Sequence, residues 1–146
     1  MPERILLLYG PNLNLLGLVS KRTDTRMTLD KLNRHLRKEA AALGVELRIH
    51  QFQSQSEASR LLQRQRTRAQ GILLVPGVWA HTGQLLRETL EITGLAVAVF
   101  HLEPEPGPWK VGSASVFQEF AALEDRGTAP DQLADFLRRF VAHLAA

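Results

Sequence analysis

The sequence predicts an α/β fold in which a parallel sheet is covered by helices on both faces. Apolar runs typical of buried strands alternate with segments of helical periodicity, as in successive βαβ units. A chain of 146 residues with 45% hydrophobic residues and no linker-like stretch suits one domain, 1–146. A closed barrel of eight βα units would need roughly twice this length. A doubly wound open sheet is therefore expected.

The first half of the chain contains two predicted strands and one helix. The apolar run from Arg4 to Tyr9 predicts a buried first strand. A helix is predicted from Thr28 to Leu43, with Gly44 as its stop. Apolar and polar residues then alternate from Val45 to His50, which predicts the second strand. The apolar residues at helical spacing are Leu29, Leu32, Leu36, Ala40 and Leu43.

The second half continues the alternation. A second helix is predicted from Ser56, a third strand over Gly71–Val75, a third helix from about His81 to Ile92, and a fourth strand over Ala96–Phe100. The tetrapeptide Thr128–Asp131 is a helix-start signature. Right-handed crossovers then favour a flavodoxin-like fold of three layers, in which helices cover both faces of a parallel sheet of order 2-1-3-4-5. The last helix presents one apolar face, formed by Leu133, Phe136, Leu137, Phe140, Val141 and Leu144.

Composition excludes several classes of protein. With no cysteine, the chain has neither disulfides nor thiolate chemistry, and we expect a cytoplasmic protein. The N-terminus runs directly into a strand and no apolar run is long enough to span a bilayer, so we expect neither a cleavable signal nor a membrane partner. The net charge is only +3, and the arginines from Arg60 to Arg68 lack interleaved aromatic residues. They predict a solvated helix face rather than nucleic-acid binding.

Polar residues follow three of the predicted strands, where ligands bind in open α/β sheets. We expect Asn12, His81 and His101 to converge on one crevice, because strands one, three and four are neighbours in the predicted order. Two histidines and an amide can transfer protons near neutral pH. His81 is predicted to begin the third helix, where backbone N–H groups could bind an anionic oxygen. The three loops are Gly10-Pro11-Asn12, Pro76 to Gly83, and His101-Leu102-Glu103.

The octapeptide Gly10-Pro-Asn-Leu-Asn-Leu-Leu-Gly17 matches, letter for letter, the motif that opens the type II 3-dehydroquinate dehydratases. The chain resembles this family from end to end. The resemblance implies dehydration of a small-molecule substrate without a metal or organic cofactor. It also implies that Asn12 holds a water against the enolate, that His101 protonates the leaving hydroxyl, and that His81 binds a substrate hydroxyl.

The resemblance also implies an assembly. Family members form trimers that associate four at a time, so a homododecamer is expected here. Glu88 stands where the family has an aspartate that reaches a neighbouring subunit's site, and the charge is preserved. Thr82 keeps its place beside the substrate. Pro11 and Leu102 are included among the substrate-binding candidates because they lie in the same two loops as Asn12 and His101.

Two departures from the family concern the catalytic base. In the family, a loop tyrosine aided by an arginine removes the substrate proton. In this sequence the arginine falls on Val19 and the tyrosine on Asp24. Asp24 itself, or Tyr9 at the end of the first strand, is a candidate replacement. Because the tyrosine and the arginine are both replaced, we expect conventional dehydratase activity to be greatly reduced.

Further departures concern substrate binding. An asparagine of the family is replaced by Val75, and the glutamate that orients the histidine is replaced by Val99, so we expect His101 to have no carboxylate partner. Glu103 replaces a serine that helps to hold the substrate's carboxylate, so like charges would repel. Two substrate-contacting arginines map onto Pro108 and Gly112. Trp79 adds either an aromatic wall to the crevice or interface packing.

Three hypotheses about function remain open. The first is an enzyme that keeps the scaffold and performs elimination, isomerisation or ring closure, through an enol-like intermediate, on a molecule other than 3-dehydroquinate. The second is an unusual but working 3-dehydroquinate dehydratase. The third is a non-catalytic binding or assembly paralogue. We favour the first because several catalytic positions have changed together.

Overall fold

A computed structural model of the chain describes residues 3–20, 27–103, 114–128 and 130–146. Over these residues, five parallel strands form one sheet of order β2-β1-β3-β4-β5, so the predicted fold class and strand order are confirmed. The strands are β1 (Arg4–Tyr9), β2 (Glu46–Gln51), β3 (Gly71–Val75), β4 (Ala96–Leu102) and β5 (Leu123–Gly127). The helices are α1 (Leu16–Ser20), α2 (Leu29–Leu43), α3 (Gln55–Gln65), α4 (Trp79–Thr82), α5 (Gln84–Thr93) and α6 (Pro130–Ala145), and a short 3₁₀ turn spans Leu13–Leu15.

The sheet separates two hydrophobic cores. Because successive side chains of a strand point to opposite faces, Ile5 and Leu7 of β1 pack towards α2 and α6, whereas Leu6 and Leu8 pack towards α3 and α5. Both faces of the central strands are buried, which is why these strands are continuous apolar runs in the sequence.

The predicted bounds of the helix from Thr28 to Leu43 agree with α2, and the predicted start of the last helix agrees with α6. The Thr28 hydroxyl accepts a hydrogen bond from the Lys31 N–H at 3.2 Å, and Gly44 ends α2 with a φ of 70°. Four of the six predicted apolar residues of α6 are fully buried, and the other two pack against the same core. Local capping signals and periodicity were sufficient here.

The prediction of one continuous third helix is wrong. The structure has two helices, α4 and α5, which meet at Gly83. The Gln55 side chain occupies the break. Its Nε2 donates to the Thr82 carbonyl at 2.8 Å, and its Oε1 accepts from the Leu86 N–H at 3.1 Å. A glutamine distant in sequence thus satisfies backbone groups at the break.

Two strands also differ from expectation. β4 continues two residues beyond Phe100, so His101 lies within the strand rather than after it. β5 carries the charged run Glu124-Asp125-Arg126, which gave no strand signal in the sequence. It lies at the edge of the sheet, where charged residues are common because only one side pairs with a neighbour.

In the part of the chain that the structure describes, we find no helix with the length and apolar character needed to cross a membrane.

Candidate active site

The loops that follow β1 and β3 pack against each other through their backbones. The Gly10 N–H donates to the Val75 carbonyl at 2.9 Å. A Cβ atom on Gly10 would lie 1.9 Å from the Pro76 carbonyl oxygen, so only glycine allows this approach. Gly77 has a φ of 59°, and a Cβ atom there would lie 3.4 Å from the Pro11 carbonyl oxygen. The half-buried Pro11 thus contributes its backbone to the contact between the two loops.

Asn12 is held by an amide network that no sequence pattern predicts. Its backbone N–H donates to Gln53 Oε1 at 2.7 Å, and its Oδ1 accepts from Gln53 Nε2 at 3.0 Å. Gln51 Nε2 in turn donates to Gln53 Oε1 and to the Gly10 carbonyl, both at 3.0 Å. Because its Oδ1 accepts from Gln53, the Asn12 amide is oriented with Nδ2 as the group that can donate to a ligand.

His81 lies in the last turn of α4 rather than at the start of a helix, so that prediction is wrong. The backbone N–H groups of His81 and Thr82 already donate to the Val78 carbonyl, at 2.9 and 3.2 Å, and are not available to an anion. The Thr82 hydroxyl also donates to the Val78 carbonyl at 3.2 Å. The Val116 N–H donates to the Ala80 carbonyl at 2.7 Å, which joins α4 to the segment before β5.

His101 is buried near the carboxyl end of β4 and contacts a carboxylate. His101 is 5% exposed, and its Nε2 lies 2.6 Å from Glu124 Oε2. The expectation that Val99 leaves His101 without a carboxylate is therefore wrong. Ser115 Oγ donates to the same Glu124 oxygen at 2.5 Å, and the Phe117 N–H donates to Ser115 Oγ at 3.2 Å.

Glu103 forms an ion pair with Arg126, whose Nη1 lies 3.3 Å from Glu103 Oε1. The expected repulsion of a substrate carboxylate by Glu103 is thus reduced by a neighbouring guanidinium. The backbone N–H of Glu103 donates to the Gly127 carbonyl at 2.9 Å. The side chain of Leu102 is buried on the opposite face of the sheet, in the core with α2 and α6. The contact of Leu102 with a substrate stays a prediction.

A family model described as "Dehydroquinase class II" matches residues 3–121. The chain belongs to the type II dehydroquinase family. A "3-dehydroquinate dehydratase" of Geotalea daltonii is 31% identical, over 97% of this chain and 98% of that protein. One of Trichodesmium erythraeum is 37% identical, over 67% of this chain and 65% of that protein's length. The fold matches that of a type II dehydroquinase from Butyrivibrio crossotus, with a TM-score of 0.83, 18% identity and 99% coverage of both chains.

The relatives of this chain are named as dehydratases, which are lyases, so the expectation of an enzyme family of the lyase type is confirmed. Among the described residues, no group of three or more histidine, aspartate or glutamate side chains could hold a metal ion. The chemistry that these residues can perform is proton transfer at His101, with the Asn12 amide as a hydrogen-bond donor.

The two candidate replacements for the base of a type II dehydroquinase differ in their surroundings. Tyr9 is fully buried among the side chains that face α2 and α6, and no described residue gives its hydroxyl a hydrogen bond. Burial raises the pKa of the Tyr9 hydroxyl far above its usual value, which opposes a role as a base. Asp24 lies outside the described residues, and its role stays a prediction.

Trp79 and Glu88 occupy different environments on the α3 and α5 side. Trp79 is 3% exposed and packs in the core, with its ring edge under Gly10, so it is neither an open wall of the crevice nor an interface residue. Glu88 is exposed on α5, and its contribution to a neighbouring subunit's site stays a prediction.

Proposed function

We propose that this chain is a cofactor-independent lyase that uses His101 as an acid–base group on a small hydroxy carbonyl compound other than 3-dehydroquinate. The observation that carries the proposal is the contact between His101 Nε2 and Glu124 Oε2, at the carboxyl edge of the sheet. A buried imidazole that is hydrogen-bonded to a carboxylate is held in one orientation, which is what an acid–base group requires.

The proposed reaction removes water in two proton transfers. A base takes a proton from the carbon next to the carbonyl, and the electron pair moves to the carbonyl oxygen to give an enolate. The Asn12 amide stabilises the enolate oxygen directly or through a water. The enolate then re-forms the carbonyl as the bond to the β-hydroxyl breaks, and a doubly protonated His101 ring gives that hydroxyl its Nδ1 proton, which leaves the ring neutral with its remaining proton on Nε2. The products are an unsaturated ketone and water.

The binding positions favour a substrate different from 3-dehydroquinate. Val75, which replaces an amide of the family, is fully buried in the core. The Glu103 side chain is bonded to Arg126, and its backbone N–H is bonded to Gly127, so this position does not offer the substrate carboxylate an unoccupied donor. Each unpaired buried polar group on a substrate costs roughly 1–3 kcal/mol, and several such losses would weaken binding of 3-dehydroquinate strongly.

One observation favours a second candidate, a working 3-dehydroquinate dehydratase. Glu124 supplies the carboxylate that the sequence lacks at Val99. A relative matched over almost the whole chain also carries that activity in its name. In this case the proton would be removed by Asp24 or by a residue of a neighbouring subunit.

The test is a turnover assay of the purified chain with 3-dehydroquinate, followed by the absorbance of the conjugated product. We expect a rate at least about a thousandfold below that of a conventional family member, because loss of a general base costs ~10²- to 10⁴-fold. A normal rate would establish the second candidate. Native mass measurement of small molecules that copurify would identify the substrate class.

Variants then test His101 itself. His101→Ala and His101→Gln should abolish turnover of the identified substrate, whereas His143→Gln, on the exposed surface of α6, should not change it. Equal activity in all three variants would exclude His101 as the acid–base group. The absence of any copurifying ligand and of any turnover would favour a non-catalytic paralogue.

We also propose that the chain assembles as a homododecamer and functions in the cytoplasm. The outer surface of α5 supports an assembly, because Leu85 and Ile92 are 49% and 77% exposed on the same side of the helix as Glu88. Complete lack of cysteine is compatible with the reducing environment of the cytoplasm.

A further inference from the structure

We infer that Glu124 is a positioning residue that fixes the orientation and tautomer of His101 from the neighbouring strand, β5. The catalytic consequence rests on the proposed function, whereas the structural part can be tested without a substrate. Glu124 is separated from His101 by 23 positions in the sequence.

The register of the sheet brings the two side chains together. Glu124 is the β5 partner of Val99, and Arg126 is the partner of His101. Side chains two residues apart in a strand share a face, and partners on adjacent parallel strands point to the same side. Glu124 therefore stands beside the position two residues before His101, where the family resemblance places the orienting glutamate. The carboxylate has moved sideways by one strand, about 4.8 Å.

The Glu124 carboxylate is itself held in place. Ser115 Oγ donates to Glu124 Oε2 at 2.5 Å, and the N–H of the fully buried Phe117 donates to Ser115 Oγ. The Glu124 side chain is 25% exposed, and the His101 side chain is 5% exposed. A partly buried carboxylate that receives two hydrogen bonds is more constrained than a carboxylate in an exposed ion pair.

The contact also selects a tautomer. An ionised carboxylate only accepts hydrogen bonds, so the proton of a neutral His101 ring is held on Nε2 and Nδ1 is the basic nitrogen. The adjacent residue Asp125 provides the contrast. It points to the other face of the sheet and forms an ion pair with Arg139 of α6 at 2.8 Å. Asp125→Asn is therefore a control that changes a β5 carboxylate without touching His101.

Nuclear magnetic resonance of ¹⁵N-labelled histidine side chains tests the structural part without a substrate. We expect the His101 ring of the unaltered chain to carry its proton on Nε2. Glu124→Gln can donate as well as accept, so this preference should be lost, and it should also be lost in Glu124→Leu. Asp125→Asn should retain it. Unchanged His101 signals in both Glu124 variants would overturn the inference.

Two substitutions that move the carboxylate from β5 to β4 test the catalytic consequence of the inference. Glu124→Val should lower turnover of the identified substrate at least about tenfold and change its pH profile. Adding Val99→Glu should restore both, because this substitution returns a carboxylate to the same face beside His101. Failure of the folded double variant to restore the pH profile would overturn the positioning role. If the double variant does not fold, the turnover and pH profile of Glu124→Gln are compared with those of Asp125→Asn. Equal values in these two variants would overturn the positioning role.

The two measurements separate this inference from the proposed function. A tautomer that changes in the Glu124 variants, without turnover in any variant, would support the positioning role and contradict the lyase proposal. Turnover that depends on His101 but not on Glu124 would support the lyase and contradict the positioning role.

Discussion

Gln53 binds Asn12 at two points, accepting from its backbone N–H at 2.7 Å and donating to its Oδ1 at 3.0 Å. Asn12 has a φ of 65°, a left-handed conformation that asparagine tolerates better than most residues with a side chain. The loop after β2 therefore fixes the first polar residue after β1, and the two loops form one unit.

Substitution of either partner should show this coupling. In a double-mutant cycle of unfolding free energies, Asn12→Ala and Gln53→Ala should be coupled by about 1 kcal/mol, the worth of one hydrogen bond. Asn14→Ala is the matched control, because Asn14 is exposed in the 3₁₀ turn two residues away. Strict additivity of Asn12→Ala and Gln53→Ala in urea denaturation would contradict the contact.

Gly10→Ala should destabilise the protein by more than about 2 kcal/mol, because its Cβ would overlap the Pro76 carbonyl oxygen and force the two loops apart. The control is Gly44→Ala. No atom lies within 4 Å of the Cβ position of Gly44, so this substitution should lower the free energy of unfolding by only about 1 kcal/mol, the cost of the left-handed backbone. Thermal or urea unfolding compares them, and equal losses would contradict a steric role for Gly10.

Tyr9 is the single tyrosine in the chain, so its ionisation can be followed by tyrosinate absorbance without interference from another tyrosine. Burial raises the pKa of Tyr9, so the folded state binds this proton more tightly than the unfolded state. The resulting stability is complete below the ordinary value of about 10 and is lost as the pH rises further, by about 1.4 kcal/mol per pH unit. Tyr9→Phe should remove that slope.

Alkaline titration checks the same point directly. Tyrosinate absorbance should appear together with unfolding, as followed by circular dichroism. An ordinary ionisation near pH 10 in the folded protein would show that the hydroxyl is accessible, and would restore Tyr9 as a candidate base. Tyr9→Phe should change stability at pH 7 by no more than about 1 kcal/mol, because no described residue bonds the hydroxyl.

Light scattering should report a dodecamer at micromolar concentration. Ile92→Lys should dissociate it into smaller species, because a charge would be placed in the apolar part of the α5 surface. Ala42→Lys, on the exposed surface of α2, is the control and should leave the assembly intact. A monomer in the unaltered chain would refute the proposed assembly.

The sequence by itself determined the order of the sheet and most of its elements. The helix α2 could be predicted from the Thr28 cap, the apolar spacing and Gly44, and β3 from its continuous apolar run. These signals are local, because a cap or a periodic face is formed by residues a few positions apart. The loop position of Asn12 follows from the same local reasoning, whereas His81 lies inside the short helix α4.

The partners of the site residues were decided only by the tertiary structure. Glu124 reaches His101 through the register of two strands, and Gln53 reaches Asn12 from the loop of another strand. Neither contact leaves a pattern in the sequence, since the charged run in β5 has no strand periodicity and the glutamine is one of several. The strand pairing, rather than any local preference, gives His101 its carboxylate.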